Sequence, residues 1–278
     1  MTARILGRMM VLAAMIAGPA MAADMPLKAP PAPVYSWTGL YVGGSVGYSL
    51  GRGRGDYDDP NLGASGTGAV SYNSVSEKLD GIIGGGQIGY NWQVNRTWLL
   101  GFEADIQGSG ERGNGSFVDP YSVGTDCDIY CSSVSGTITT AINWFGTVRG
   151  RVGVLTTPTM LLYVTGGLAY GRISASGRVT DAGCAGPPAC LVGNITPAVS
   201  WAFANSATNV GWTLGGGVEG VVSNTANWTW KAEYLFLNLG SVSGTGFETG
   251  SDFGSLPYSW STRVTDNILR VGLNYHFH

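Results

Sequence analysis

The sequence predicts an all-β fold, an eight-stranded antiparallel up-and-down transmembrane β-barrel. Three observations predict it. Segments of about ten residues alternate apolar and polar side chains, the period of a strand with two unlike faces. The connectors between them alternate strictly between long and short, as in barrels with short turns on one side of a membrane and longer loops on the other. Composition agrees: 12% charged residues, 44% hydrophobic and 45 glycines in 278 residues suit a sheet with lipid outside and close packing inside, not a soluble enzyme. With 9 Trp and 13 Tyr, the chain is too aromatic for a glycine-rich disordered protein.

The first residues read as an export signal. Arg4 and Arg8 form a charged region, 9–17 a short apolar run, and Ala20-Met21-Ala22 an A-x-A cleavage site, so the mature chain is expected to begin at Ala23. Loss of Arg4 and Arg8 would move the formal charge from −3 to −5, a balance that does not suggest nucleic acid. No apolar run reaches the roughly 20 residues of a spanning helix. Residues 23–36, rich in Pro and Ala, read as a periplasmic tether, with 37–278 as the barrel domain.

The first predicted strand is 40–50, with Leu40, Val42, Val46, Tyr48 and Leu50 outward. After a polar stretch (51–80) the second, 81–92, turns Ile82, Ile88, Tyr90 and Trp92 outward. A tight turn (93–96) leads to the third, 97–107, with Trp98, Leu100, Phe102, Ala104 and Ile106 outward. A long polar segment (108–142) precedes the fourth, 143–155, with Trp144, Val148, Val152 and Val154 outward. The turn 156–159 leads to the fifth, 160–171, with Leu162, Val164, Leu168 and Tyr170 outward. A long loop (172–210) precedes the sixth, 211–221, with Trp212, Leu214 and Val218 outward. The turn 222–227 leads to the seventh, 228–237, with Trp228, Trp230, Ala232, Tyr234 and Phe236 outward. A last long loop (238–265) precedes the eighth, 266–277, where Leu269, Val271, Leu273, Tyr275 and Phe277 share one parity. Pairing of last with first would remove the open edges. Tyr90, Trp92, Trp98, Trp228, Trp230, Tyr275 and Phe277 fall near the short turns, and Tyr48, Trp144, Tyr170, Trp212 and Phe236 near the long loops, as two aromatic girdles require.

The inward parity carries Glu103, Asp105, Glu219 and Glu233 against Arg149, Arg151, Lys231 and Arg270. Glu103 and Asp105 lie beside Arg149 and Arg151, and Glu219 faces Lys231 across a short turn. Eight strands enclose little more than their own side chains, so an ion-paired plug is expected; the alternative is a charged filter lining a channel. A lipocalin, apolar inside, would show the opposite polarity.

Other motifs have plain readings. Cys127 with Cys131 and Cys184 with Cys190 form two close pairs in two long loops, and an oxidising compartment favours disulfides that staple the loop tips. A metal site is the alternative, but the two histidines, His276 and His278, lie at the other end. Gly84-Gly85-Gly86-Gln87-Ile88-Gly89 matches the dinucleotide fingerprint formally, yet a turn follows where a helix is required, so the glycines are read as relieving crowding on a curved strand. Enzymatic barrels carry His with Ser, Asp or Glu at the external rim, and this sequence has no such histidine. Asp56, Asp58, Asp59, Asp126 and Asp128 read as solvated charge. No enzyme, cofactor or metal is expected.

YSWTGLYVGGSVGY (35–48), WFGTVRGRVG (144–153), LYVTGGLAYG (162–171), WKAEYLF (230–236) and the ending DNILRVGLNYHF together resemble the small porin-like outer-membrane proteins of alphaproteobacteria, over essentially the whole chain. The ending departs from the family pattern in that His278 follows Phe277. The resemblance implies an OmpA-like eight-stranded barrel in the outer membrane, surrounded by lipid and lipopolysaccharide. Some relatives are named as haem-binding or adhesive surface antigens. Three functions follow: an envelope-stabilising surface protein, with room for a cell-wall or surface partner of unknown identity; a narrow porin for small solutes; and a surface receptor or adhesin, haem-binding or not. A lumen closed by Arg149 and Arg151 against Glu103 and Asp105 favours the first, and a continuous charged lumen the second. An exposed aromatic patch near Trp201 and Phe203, or near Tyr258 and Trp260, favours the third.

Overall fold

The computed structural model describes residues 35–58, 73–123, 130–182, 198–251 and 254–277. The expected signal segment, most of the tether, and Cys127, Cys184 and Cys190 lie outside these residues, as do the side chains of Cys131, Trp201 and Tyr258.

Every described element is a strand: β1 (Gly39–Asp58), β2 (Asn73–Gln93), β3 (Trp98–Ser109), β4 (Arg112–Val123), β5 (Tyr130–Thr157), β6 (Met160–Asp181), β7 (Val199–Val221), β8 (Trp228–Ser251) and β9 (Gly254–Phe277). All pairings are antiparallel; each strand pairs with its sequence neighbours except that β3 and β4, which do not pair with each other, both lie between β2 and β5, and β1 closes the ring on β9, with Leu40 opposite Phe277. The nine strands fill eight ring positions. β3 and β4 are one strand interrupted at Gly110–Glu111: β3 pairs with β5 up to Gly108↔Trp144, and β4 resumes at Arg112↔Ala141. The interruption is held on both sides, by Gly110 N donating to Ile82 O (3.0 Å) and Ile142 N to Glu111 O (3.3 Å). It presses on Gly81, where a Cβ would lie 2.5 Å from Glu111 N.

The strands are 20 to 28 residues long except at the interrupted position, about twice the span a membrane needs. This corrects the polar loops expected from the sequence. Much of 51–80, 108–142, 172–210 and 238–265 continues the barrel wall beyond the belt. At one end the connectors are tight, such as Pro158–Thr159 between β5 and β6. At this turn end Asn95 Oδ1 accepts from the backbone of Thr97 and Trp98 (both 2.8 Å). At the opposite, extended end, a bulge between Asn238 and Gly240 uses the positive φ of Gly240 (73°), a region glycine enters without strain.

The two halves of the barrel are polarised in opposite senses. Around the turn half, apolar side chains such as Val46, Ile88, Phe102, Leu162, Leu214 and Val271 face outward and are exposed, as a wall against lipid requires. The belt ends near Leu50, Ile82, Ile106 and Leu269. Beyond it the alternation inverts. Val75, Leu79, Ile138, Ile173, Val242 and Val264 point inward into one packed apolar core, while Arg52, Lys78, Arg112, Thr139 and Arg178 face out. There the wall has the polarity of a barrel surrounded by water.

Candidate functional site

The interior of the belt is the candidate site. Its charges come from the inward parity of five ring positions, β3, β5, β7, β8 and β9, where the register sets which charges lie at one depth. Glu103 sits opposite Arg149, Asp105 opposite Thr147, Glu219 opposite Lys231 and Glu233 opposite Arg270. All eight charged residues named from the sequence are buried, four acids with four bases.

Arg149 is the centre of the network. Its guanidinium donates to Glu103 Oε1, to Asp105 Oδ2 at 2.9 Å and to Glu233 Oε1 at 3.0 Å. Arg270 Nε donates to Glu233 Oε2 at 2.6 Å, and its Nη2 to Asp105 Oδ2 at 3.0 Å. Lys231 is the Cα partner of Glu219, yet its ammonium crosses the lumen to Glu103, at 2.9 and 3.0 Å from the two oxygens. Glu219 instead receives Arg151 Nη1 (3.1 Å), Thr229 Oγ1 (2.6 Å) and Asn274 Nδ2 (2.8 Å). Burying a charge is costly, and an opposed charge with several hydrogen bonds offsets that cost.

Several partners carry no charge and were not singled out from the sequence. The Tyr41 hydroxyl donates to Glu103 Oε2 at 2.7 Å, Tyr163 to Glu233 at 3.1 Å and Thr147 to Asp105 at 2.8 Å. Asn91 Oδ1 accepts from Arg151 Nε at 2.8 Å, and the Arg151 guanidinium lies over the Tyr41 and Tyr163 rings at 4.7 and 5.3 Å. Their signal in the sequence is only that they share the inward parity with the charges. Two glycines of the 84–89 run, Gly85 and Gly89, make room for this packing. A Cβ at Gly89 would lie 2.2 Å from the Tyr41 hydroxyl, and one at Gly85 would lie 2.0 Å from Ile106 O.

Two layers flank the network. At the turn end Trp37, just before β1, is fully buried. Its indole donates to Pro158 O at 3.1 Å, and it packs with Tyr35, Leu99, Leu155 and Leu161. Beside it the His276 ring stacks on Tyr41 with centroids 5.2 Å apart. At the extended end lies the apolar core, with the Phe203 and Trp260 rings tilted by 30° and 4.8 Å apart inside it. That pair is buried, and so does not form an exposed aromatic patch. Two acidic sites sit within this upper interior, beyond the belt. Burial pushes Glu77 up to about 6. Burial, with the neighbouring Asp266 carboxylate, pushes Glu111 up to about 8, and burial also raises Asp266, which accepts from Ser49.

Among the described residues no group of three or more His, Cys, Asp or Glu side chains is arranged to hold a metal. The described histidine, His276, lies at the turn end, far from the extended rim.

Comparison with known proteins places this architecture. The outer membrane protein beta-barrel domain matches residues 10–277. The 31 kDa outer-membrane immunogenic protein of Brucella melitensis biotype 1 is 34% identical over 276 residues, covering 96% of this chain and 97% of that protein. The 22 kDa outer membrane protein of Rhizobium leguminosarum bv. viciae is 28% identical, covering 90% of this chain and 82% of that protein. Among solved structures, the outer membrane protein OprG of Pseudomonas aeruginosa matches at 9% identity with a TM-score of 0.44, over 87% of this chain and 99% of that one. The chain belongs to the outer membrane protein beta-barrel domain family and is a protein of the cell outer membrane.

Proposed function

We propose that this protein is a closed, envelope-stabilising barrel, exported by a cleaved signal (1–22), joined to a periplasmic tether (23–36) and extended outward from the cell. The observation that carries the reading is the filled lumen. Trp37 and its neighbours occupy the turn end, the eight-charge network the middle, and the apolar core the extended end. A conducting lumen needs a continuous hydrated path, and a neutral ion cluster between two packed layers offers none. The name of the Brucella relatives, an immunogenic protein, supports placing the extended end outside. That orientation also puts the short turns in the periplasm, as in other barrels of this class. In this reading the cysteine pairs Cys127–Cys131 and Cys184–Cys190 close the outermost loops as disulfides.

Single-channel conductance of the refolded mature chain in a planar bilayer tests the proposal. Silence is the expected result from protein whose folding and insertion are verified by heat-modifiable migration. Discrete steps that change with Arg149→Ala or Arg151→Ala would make the protein a narrow porin instead.

A further inference from the structure

Outside the lumen, one wall of the barrel concentrates positive charge just above the apolar belt. Arg52 and Arg54 on β1, Lys78 on β2, Arg112 on β4 and Arg263 on β9 are all outward and exposed. Register puts like charges face to face: Arg52 is the Cα partner of Lys78, and Arg54 of Arg263. Directly opposed like charges destabilise an antiparallel pair. Among the described residues none of these five cations lies within 4.0 Å of a carboxylate, and of the outward carboxylates on this wall, Asp56 and Asp80, the second is the Cα partner of Arg112, which leaves Arg52, Arg54, Lys78 and Arg263 with like charges opposite. A chain of formal charge −3 thus collects cations on one face, and a multivalent anion set between them would relieve the repulsion.

Directly below on the same strands, the belt is hollowed. A groove of about 630 Å³ is lined by Val46, Tyr48, Ala232, Tyr234, Leu269 and Val271. Beside it on β2, outward Gly84 and Gly86 keep the wall low. A Cβ at either would approach nothing closer than 3.6 Å, so packing inside the barrel does not demand glycine there. Arg52 lies two residues past Leu50, which at a strand tilt of about 40° is roughly 5 Å beyond the belt's edge. That is the depth of headgroup phosphates.

We propose that this wall, β8–β9–β1–β2, is a specific site for a phosphorylated, multiply acylated glycolipid of the outer leaflet, the lipid A part of lipopolysaccharide. Its phosphates bridge Arg52, Arg54, Lys78 and Arg263, and an acyl chain lies in the groove. Charge-assisted, bidentate contacts from arginine to phosphate are the strongest hydrogen bonds available at such a surface. Among the described residues the opposite wall makes no comparable cluster: Arg172 is bonded to Ser206 at 2.8 Å, and Arg178 stands six positions farther along β6.

The test uses the mature chain refolded into phosphatidylcholine vesicles holding bisphosphorylated lipid A, dephosphorylated lipid A or phosphatidylglycerol. Lipid retained after detergent extraction is measured by native mass spectrometry. The wild type is expected to retain bisphosphorylated lipid A and neither of the other two. Replacing Arg52, Arg54, Lys78 and Arg263 together by Gln is expected to lower retention at least about tenfold, and Ala232→Leu, which fills the groove, to lower it without changing charge. Arg172→Gln with Arg178→Gln is expected to leave it unchanged. Because the quadruple variant removes like-charge contacts, it should unfold in urea no earlier than the wild type when lipid A is absent. Equal retention of phosphatidylglycerol, or equal loss in the Arg172/Arg178 control, would overturn a specific site, and so would retention by the quadruple variant. The leaflet assigned to the site rests on the outward orientation proposed above. An epitope inserted between Asp58 and Asn73 and read by antibody on intact cells tests that orientation separately, and the vesicle result stands or falls without it.

Discussion

Replacing Arg149 by Met is the sharpest test of the interior network. The substitution keeps an unbranched side chain and removes a charge that touches Glu103, Asp105 and Glu233. It leaves four buried acids facing three bases. Breaking a buried pair by removing one partner costs about 3–5 kcal/mol, because the remaining charge stays desolvated. With an m-value of about 2 kcal/mol per M urea, that lowers the unfolding midpoint by roughly 2 M. The assay is urea unfolding of the refolded protein in vesicles, followed by tryptophan fluorescence. The double variant Arg149→Met/Asp105→Leu restores neutrality, leaving Glu103, Glu219 and Glu233 with Arg151, Lys231 and Arg270. Asp105 alone should also be costly, since it holds Arg270 and accepts from Thr147. The double variant should therefore cost less than the sum of the two single changes by about 2 kcal/mol, a coupling expected of residues in one network. Strict additivity would refute the claim that these groups act as a unit, and an undisturbed Arg149→Met midpoint would refute the claim that the site is desolvated.

Further outcomes follow from particular positions. Gly85→Ala should destabilise the barrel by about 1–3 kcal/mol, the usual cost of overpacking, since its Cβ meets Ile106 O at 2.0 Å; Gly86→Ala, with 3.7 Å to Gly43 O, should be near neutral. Equal urea midpoints for the two would contradict this account of the triple glycine. The Glu111–Asp266 pair makes the stability of the extended end fall as pH rises from the acid range to about 8. The Glu111 carboxyl is raised above its unfolded value, to about 8, so the folded state favours its neutral form. Its stabilising contribution is therefore complete below the unfolded value, near pH 4, and is lost as pH rises through about 8. Amide exchange in β4 should rise beyond the intrinsic chemical rate from about pH 5 to about pH 8 and level off above that, and Glu111→Gln should flatten that extra rise. The same excess in both proteins would mean that another group controls it.

The belt was legible because its signal is local. Leu269, Val271 and Leu273 alternate with Arg270, Gly272 and Asn274 whatever the rest of the chain does, and lipid on one side fixes which parity is apolar. The extended half hid the same period. Val75, Leu79 and Ile83 are spaced for one face, but on the parity opposite to that of Ile82 and Ile88, whereas Ile138 and Ile142 share the parity of outward Val148 and Val152 and point inward because a bulge lies between Ile142 and Trp144. They are also diluted by Ser, Thr and Gly that read as loop. Within β2 the apolar face changes sides near Ile82–Ile83 without any break in the strand. The change is one of solvent: hydrocarbon outside selects apolar outward residues, and water outside selects apolar inward ones. In a strand without a bulge, such as β2, a parity change therefore marks where the surrounding medium changes.

Partner choice across the lumen was not legible at all, and this limit also has a physical cause. Cross-strand register places Lys231 beside Glu219, and sequence reasoning pairs neighbours. In a barrel this narrow, long side chains reach the opposite wall, so Lys231 joins Glu103 on β3 and leaves Glu219 to Arg151 on β5. The exchange lets Glu103 face Lys231 as well as Arg149, and it ties β8 to β3 through charge where no ladder joins them. A plug made of neighbouring pairs would only line the wall. Pairs that cross the lumen fill it, and that geometric difference separates a closed barrel from a channel.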